Sequence, residues 1–493
     1  MRLGDLLIAA KLVTTEHVSE ALARQVGSGG RLGENLVAIG AITQEALDTF
    51  IHRVPVEPGD IAATGIDDTT LLNLLLKLVY TSRLETPVQM ADAIKLPVHI
   101  VSELVRMAVE RRLLRSLGNR DNSIMFSPTS TAYAITDEGI RAAQEALQFS
   151  QYAGPAPVSL NDFVQMVHLQ KINNVVVTHD KIRNAFGDLA ISDVFIEKLG
   201  PALNSGRAIL MYGPPGNGKT SVALCFASIF NDVIYIPHAV MISGQIMRVY
   251  DPSVHVKLNL APEKQPGSRS LIRAEESDAR WVPCQRPFVV TGGELTLEML
   301  DLRYDAAANF YEAPLQVKAL GGCFVIDDFG RQLVSPTSLL NRWIVPMENK
   351  VDYLKLHTGK SFSLPFEELL IFSTNLEPED LMDPAFLRRL PYKLEVGAPG
   401  VKLYHRIFNQ FCERNGLVLT EDVFNSIVQK VTDEKGLQLA AYQPKFIVDQ
   451  IVATCRFLGQ PPHFESRYIE YAVDNLRVNR AHSSGHGERS QTS

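Results

Sequence analysis

The sequence predicts a multidomain α/β protein. An open parallel sheet carries a phosphate-binding loop, an all-helical segment follows it, and two small units precede it. Three observations carry this expectation. The run Gly213-Pro214-Pro215-Gly216-Asn217-Gly218-Lys219-Thr220 stands between an apolar stretch, 208–212, and an apolar, helix-compatible stretch that opens at Ser221. From about residue 163 to 399, apolar strand candidates alternate with helical patterns, as in a parallel sheet. At the other end, Arg2-Leu3-Gly4-Asp5-Leu6-Leu7-Ile8 recurs as Arg31-Leu32-Gly33-Glu34-Asn35-Leu36-Val37.

A chain of 493 residues exceeds what one core can hold, so about three domains are expected. The net charge of −7 supplies no global basic field for nucleic acid, although a local patch remains compatible with it. Five scattered cysteines form neither a disulfide framework nor a zinc cluster. No apolar stretch approaches a membrane span, and the first residues lack a signal-peptide core. A cytoplasmic protein without membrane insertion is the expectation.

Along the chain, residues 1–57 hold the repeat. Each copy reads as a short helix, a turn and an amphipathic helix starting at a threonine cap, with a flexible spacer at 26–30 between them. Residues 67–148 read as a helix over 71–80, a second element over 86–94, a turn at Lys95-Leu96-Pro97 and a long helix over 98–114. A polar hairpin over 116–131 and a closing helix from Thr136 complete that unit. Residues 149–162 form a linker, 163–399 the α/β core, 400–478 a helical segment and 479–493 a disordered tail.

The glycines of the 213–220 loop let successive N–H groups turn inward around phosphates. Lys219 reaches the β- and γ-phosphates and Thr220 ligates magnesium, so a nucleoside triphosphate is the expected ligand. Downstream, Cys323-Phe324-Val325-Ile326-Asp327-Asp328 describes a buried strand delivering two carboxylates to its C-terminal edge. There Asp327 holds magnesium through water, and Asp328 polarises the attacking water. A further strand, 369–375, ends in Asn375, and Asp383-Pro384-Ala385-Phe386-Leu387-Arg388-Arg389 precedes a last strand at 392–396.

This order resembles that of AAA+ ATPases. The 213–220 loop matches Walker A, Asp327 and Asp328 match Walker B, and Ser373-Thr374-Asn375 matches sensor 1. The resemblance implies an ATPase using ATP and Mg2+, with Asn375 orienting the water. It also implies that Arg388 or Arg389 reaches the nucleotide of a neighbouring subunit, in a homo-oligomer such as a hexameric ring, and that 400–478 is a lid. Two departures stand out. The second Walker B acid is Asp328 rather than glutamate. Where sensor 2 normally offers arginine, Gln443-Pro444-Lys445-Phe446 offers Lys445, a point charge without the guanidinium fork. The run 349–365 looks like the extra hairpin of the MoxR, magnesium-chelatase and enhancer-binding branches. Between 241 and 294 there is more chain than a minimal core needs, with no convincing pore loop.

The repeat resembles the MshEN-type domain that precedes ATPases of type II secretion and type IV pili, whose tandem copies bind cyclic di-GMP in responsive members. Carried over position by position, Arg2, Leu3, Gly4, Gln25, Arg31, Leu32 and Gly33 are the candidates. Lys11 and Val54 depart from that pattern, and a pure docking role stands beside nucleotide sensing. Residues 67–148 are similar to winged-helix domains. His99, Ser102, Glu103 and Arg106 are the helix face, and Arg111, Arg112, Arg115 and Arg120 lead toward the wing. DNA binding and protein docking both fit that face. The favoured function is a regulated ring motor that remodels a protein partner, serving a pilus, secretion or other surface system. The alternative is a DNA-associated regulator with an ATP-dependent switch.

Overall fold

A computed structural model describes residues 3–10, 12–51, 54–119, 131–187, 189–230, 232–258 and 277–476. Its central sheet has five parallel strands: β1 (Ile209–Tyr212), β2 (Phe288–Thr291), β3 (Cys323–Ile326), β4 (Leu369–Thr374) and β5 (Tyr392–Glu395). They run in the order β5-β1-β4-β3-β2. Every residue of β3 and β4 is buried, as required of strands covered on both faces. Successive side chains serve opposite faces. Ile209 and Met211 join Val222, Ala223 and Phe226 of α1 (Lys219–Ile229) on one side. Leu210 joins Phe324, Phe372 and Trp343 on the other. Because β4 lies between β1 and β3, the segments leaving all three strands meet along one edge of the sheet.

The extra chain between α1 and β2 is organised. Val233–Pro237 pairs with Trp281–Gln285, and a hairpin of Ala239–Ile242 with Gln245–Arg248 turns at Ser243 and Gly244, both at positive φ. This hairpin is the middle of a second five-stranded sheet, with Val158–Ser159 at one edge and the pair Arg303–Asp305 and Phe310–Glu312 at the other.

The amino-terminal segments pack onto this second sheet. Helices Leu3–Ala9, Thr15–Ser28, Leu32–Ala38 and Gln44–Ile51 place Leu7, Leu36 and Leu47 in one core with Val240, Met247 and Tyr311. Residues 54–119 and 131–149 form helices Asp68–Ser82, Pro87–Ile94, Val98–Glu110 and Asp137–Phe149 plus the antiparallel pair Leu114–Asn119 and Thr131–Ile135. Their core includes Ala239 and Ile246 from the same hairpin. A buried guanidinium fastens the junction: Arg280 pairs with Asp278 and donates to the carbonyls of Thr64 and Pro157.

Three local expectations are corrected. The helix from Val98 stops at Glu110, because Arg112 adopts φ 59 and Leu114 already starts a strand. The spacer at 26–30 is helical through Ser28 and turns only at Gly29 and Gly30, both at positive φ. The stretch expected as a linker is pinned: Tyr152, Ala156 and Val158 are buried, and Val158–Ser159 is a strand. The tail from 479 lies outside the described residues, as does most of the 116–131 hairpin.

After β5 the chain is helical. The helices α2 (Val401–Arg414), Glu421–Gln429, α3 (Tyr442–Phe457) and Ser466–Asp474 enclose a core of their own around Tyr404, Phe408, Ile447 and Ile451. Among the described residues, no helix is long and apolar enough to cross a membrane.

Candidate functional site

The chain leaves β1 and turns sharply into α1, and glycine makes the turn possible. Gly213, Gly216 and Gly218 take φ of 135°, 80° and 89°. A Cβ on Gly213 would lie 2.6 Å from the Val396 carbonyl oxygen, and one on Gly216 would lie 2.4 Å from Cδ1 of Tyr442. Around Gly218 there is open space. Lys219 starts α1 and folds back over the loop, where its Nζ donates to the carbonyls of Gly213 (2.8 Å) and Pro214 (3.0 Å). Burial holds this ammonium below its usual range, while Asp327 and Asp328 pull it upward.

The acids come from the end of β3. The Oγ1 of Thr220 donates to Oδ2 of Asp327 at 2.7 Å, bridging the loop and the acid strand. Asp327 is fixed from the other side by its N–H, which donates to the Thr291 carbonyl at the end of β2 (2.7 Å). Asp328 sits at φ 48, an uncommon conformation for a residue with a Cβ. Its Oδ1 accepts from Nδ2 of Asn375 at 2.9 Å.

The helical segment closes the other side. Tyr442 N donates to the Gly216 carbonyl (2.9 Å), and Ala441 N donates to Oδ1 of the buried Asn217 (3.1 Å). The cleft between them measures about 1080 Å³ and is lined by loop residues from Pro215 onward, Ser221 among them, together with Asp327, Asp328, Asn375 and Lys445. An apolar wall of Ile191, Phe195, Ile407 and Phe411 completes it, with the Arg414 guanidinium 5.9 Å above the Phe411 ring. A magnesium–nucleoside triphosphate fits these residues. The loop offers the main-chain N–H groups at the start of α1 and an ammonium, Thr220 and Asp327 form a ready hydroxyl–carboxylate pair for the metal, and the apolar wall suits a base.

The structure thus brings together Lys219, Thr220, Asp327, Asp328, Asn375 and Lys445. Lys445 is exposed and paired with Asp449 on its own helix. Arg388 and Arg389 do not line this cleft: Arg388 is exposed, and Arg389 pairs with Glu348. Tyr442, Phe195 and Phe411 went unnoticed in the sequence. Only the meeting of distant segments singles them out.

In the repeat, Gly4 and Gly33 are close-approach positions. A Cβ on Gly4 would lie 3.0 Å from Val18 Cγ1, and one on Gly33 would lie 2.9 Å from Leu47 Cδ2. Leu3 and Leu32 pack against the same core. Gln25 donates to the Gly30 carbonyl (2.8 Å), and Arg31 is exposed at the start of its helix. Arg2 and Lys11 lie outside the described residues, as does Arg120. Farther along, the ring of His99 meets the Gly59 carbonyl at 2.9 Å, Ser102 donates to Val98 O, and Arg106 pairs with Glu103 and Glu110. These contacts are local, and Arg106 stays exposed beside its acids, as do Arg111, Arg112 and Arg115.

Comparison with known proteins adds to this geometry. A stretch of 176 residues is 28% identical to the proteasome-activating nucleotidase of Methanospirillum hungatei JF-1, covering 34% of this chain and 39% of that protein. The chain therefore spans well under half the length of that relative. Residues 401–475 match a family described only as a domain of unknown function, DUF8689. Among solved structures, NtrX from Brucella abortus is similar at 14% identity and a TM-score of 0.34, over 71% of this chain and 63% of that one. A RuvB variant from Thermotoga maritima is similar at 13% identity and a TM-score of 0.32, over 62% and 73%. The chain is a mixed α/β protein with a parallel sheet, and over those 176 residues it is similar to the nucleotidase.

Proposed function

We propose that this protein hydrolyses ATP as an AAA+-type ring motor that remodels a protein partner, with residues 1–57 as its regulatory input. The observation that carries the reading is the convergence of Lys219, Thr220, Asp327, Asp328 and Asn375 in one cleft under the helical lid. Bound magnesium–ATP would supply the phosphoryl group to be transferred and the charge of the metal. Lys219 exchanges its two loop carbonyls for phosphate oxygens, and its burial strengthens that attraction. Thr220 and Asp327 hold the metal side of the site. Asp328, aimed by Asn375, orients a water and takes up its proton. Lys445 gives up Asp449 to meet phosphate as the lid closes. Arg388 or Arg389 acts on the cleft of a neighbouring subunit, a reading supported by their standing outside the cleft of their own.

For residues 67–148 we propose a winged-helix-like protein-docking unit, because its helix face is engaged by Gly59 and by its own acids. For residues 1–57 we propose an MshEN-like unit with cyclic di-GMP as its ligand and a pilus, secretion or surface system as its setting. Phosphate release under saturating ATP tests the core of the proposal. Asp328→Asn is expected to lower kcat about 100- to 10,000-fold while nucleotide affinity stays within about threefold. Lys219→Ala is expected to lose binding. Turnover unchanged in both variants overturns the assignment.

A further inference from the structure

The turn that carries Asp328 is bridged at several main-chain atoms by the side chain of Gln332, from outside the acid motif. Residues 327–330 must reverse direction with Asp328 in the left-handed region and Gly330 at φ 101. The side-chain amide of Gln332 lies inside this reversal. Its Nε2 donates to the carbonyls of Asp327 (3.1 Å) and Asp328 (3.3 Å), and also to that of Gly292 (3.2 Å), just past β2. Its Oε1 accepts from the Gly330 N–H at 2.8 Å. Other bonds of the turn are Asp327 N to Thr291 O, Phe329 N to Ser373 O and Arg331 N to Asp328 O, with Asp328 N to Asp327 Oδ1 and Thr374 Oγ1 to Phe329 O. Without the amide, three carbonyls at the reacting edge lose a donor, and nothing else described ties the turn to Gly292.

We propose that Gln332 is a positioning residue for Asp328, an inference that rests on the ATPase reading above. A left-handed residue with a Cβ persists only where its surroundings over-determine it. Gln332 supplies that constraint and, through Gly292, adds a second tie to the end of β2 beside the one from Asp327 N to Thr291 O. The link acts on the backbone beneath Asp327 and Asp328 and touches neither the phosphate loop nor a carboxylate oxygen. It therefore governs the geometry of the water-activating step and leaves ground-state affinity alone.

The test uses the full chain and reads ATP turnover, affinity for a fluorescent ATP analogue, melting temperature and amide hydrogen exchange. Gln332→Ala is expected to lower kcat about 10- to 100-fold, the scale of an ångström-sized misplacement, with analogue affinity within about threefold. Gln332→Glu keeps the acceptor but lacks the donors, and is expected to behave like Ala. Gln332→Lys keeps donors and is expected to recover most of kcat. Leu333→Ala, at a tip that is 91% exposed, serves as the unaffected neighbour. Exchange at 327–333 is expected to quicken in Gln332→Ala and to stay local. Equal kcat in wild type and Gln332→Ala, or equal loss in Ala and Lys, overturns the proposal. So does unchanged exchange at 327–333, a readout independent of turnover. Failure of the ATPase reading looks different, because Lys219→Ala would then match wild type in turnover.

Discussion

Glu368, on the residue before β4, is buried with neither carboxylate oxygen bonded to any described partner. Burial drives its pKa well above the usual carboxylate range, with Lys350 pulling it down and Asp352 and Glu367 adding to the rise. The folded chain therefore keeps a proton that the unfolded chain releases above about pH 4.5. Stability associated with that proton is present at low pH and declines as pH rises through and beyond this value. Glu368→Gln removes the decline. It is expected to raise the melting temperature by about 2–4 °C at pH 8 and to leave it unchanged near pH 4. Equal pH profiles for the two proteins would mean that the carboxyl is solvated. Such a residue was not legible in the sequence, where Glu367-Glu368 reads as an ordinary polar approach to a strand. The phosphate loop and the two acids were legible, because a buried strand ending in glycine or carboxylate has few other uses. Gln332 and Tyr442 were not, since Gln332 bonds main-chain atoms, which carry no residue signature, and Tyr442 meets Gly216 from far away in sequence.

Among the elements, strands β1, β3 and β4 announce themselves as unbroken apolar runs. The edge strand β2 does not, because the inserted second sheet separates it from α1. That insertion explains the hairpin Val351–Lys355 with Ser361–Pro365. This hairpin buries Leu354, Leu356 and Leu364 in the core that holds Leu7, Leu36 and Leu47. His357 at its turn stacks on Tyr304 with ring centroids 4.0 Å apart. The hairpin follows directly on helix Pro336–Asn349, whose Glu348 holds Arg389. A change in the repeat thus has a packed route toward that arginine. Titration of cyclic di-GMP by calorimetry tests whether the repeat receives such a signal. Binding weakened at least about tenfold by Arg31→Ala is expected, on the scale of a lost charge-assisted phosphate contact. Absence of heat at high micromolar ligand would leave the repeat a docking unit.

At the scale of the molecule, the site holds its phosphate loop, acids and amide, while the arginines of 383–389 stand elsewhere. If they serve a neighbour, damage to the two sides of a subunit contact should be separable. Arg389→Ala and Asp328→Asn proteins are each expected to be nearly inactive alone, yet to regain about a quarter or less of wild-type turnover when mixed, since only some contacts then pair an intact acid with an intact arginine. No recovery over a range of mixing ratios would argue that Arg389 serves contacts within its own subunit, its pair with Glu348 among them.

Tyr442 rests on Gly216 at the first turn of α3 and is bonded to that glycine's carbonyl. Mechanically this makes α3 a lever with its short arm on the phosphate loop. The helix has 16 residues, so its far end stands about 24 Å away at 1.5 Å per residue. There Phe457 is 87% exposed. A tilt that moves the loop contact by a fraction of an ångström sweeps this ring through several times that distance. Of the residues in this helix, the one that such a tilt moves farthest is therefore an exposed apolar ring.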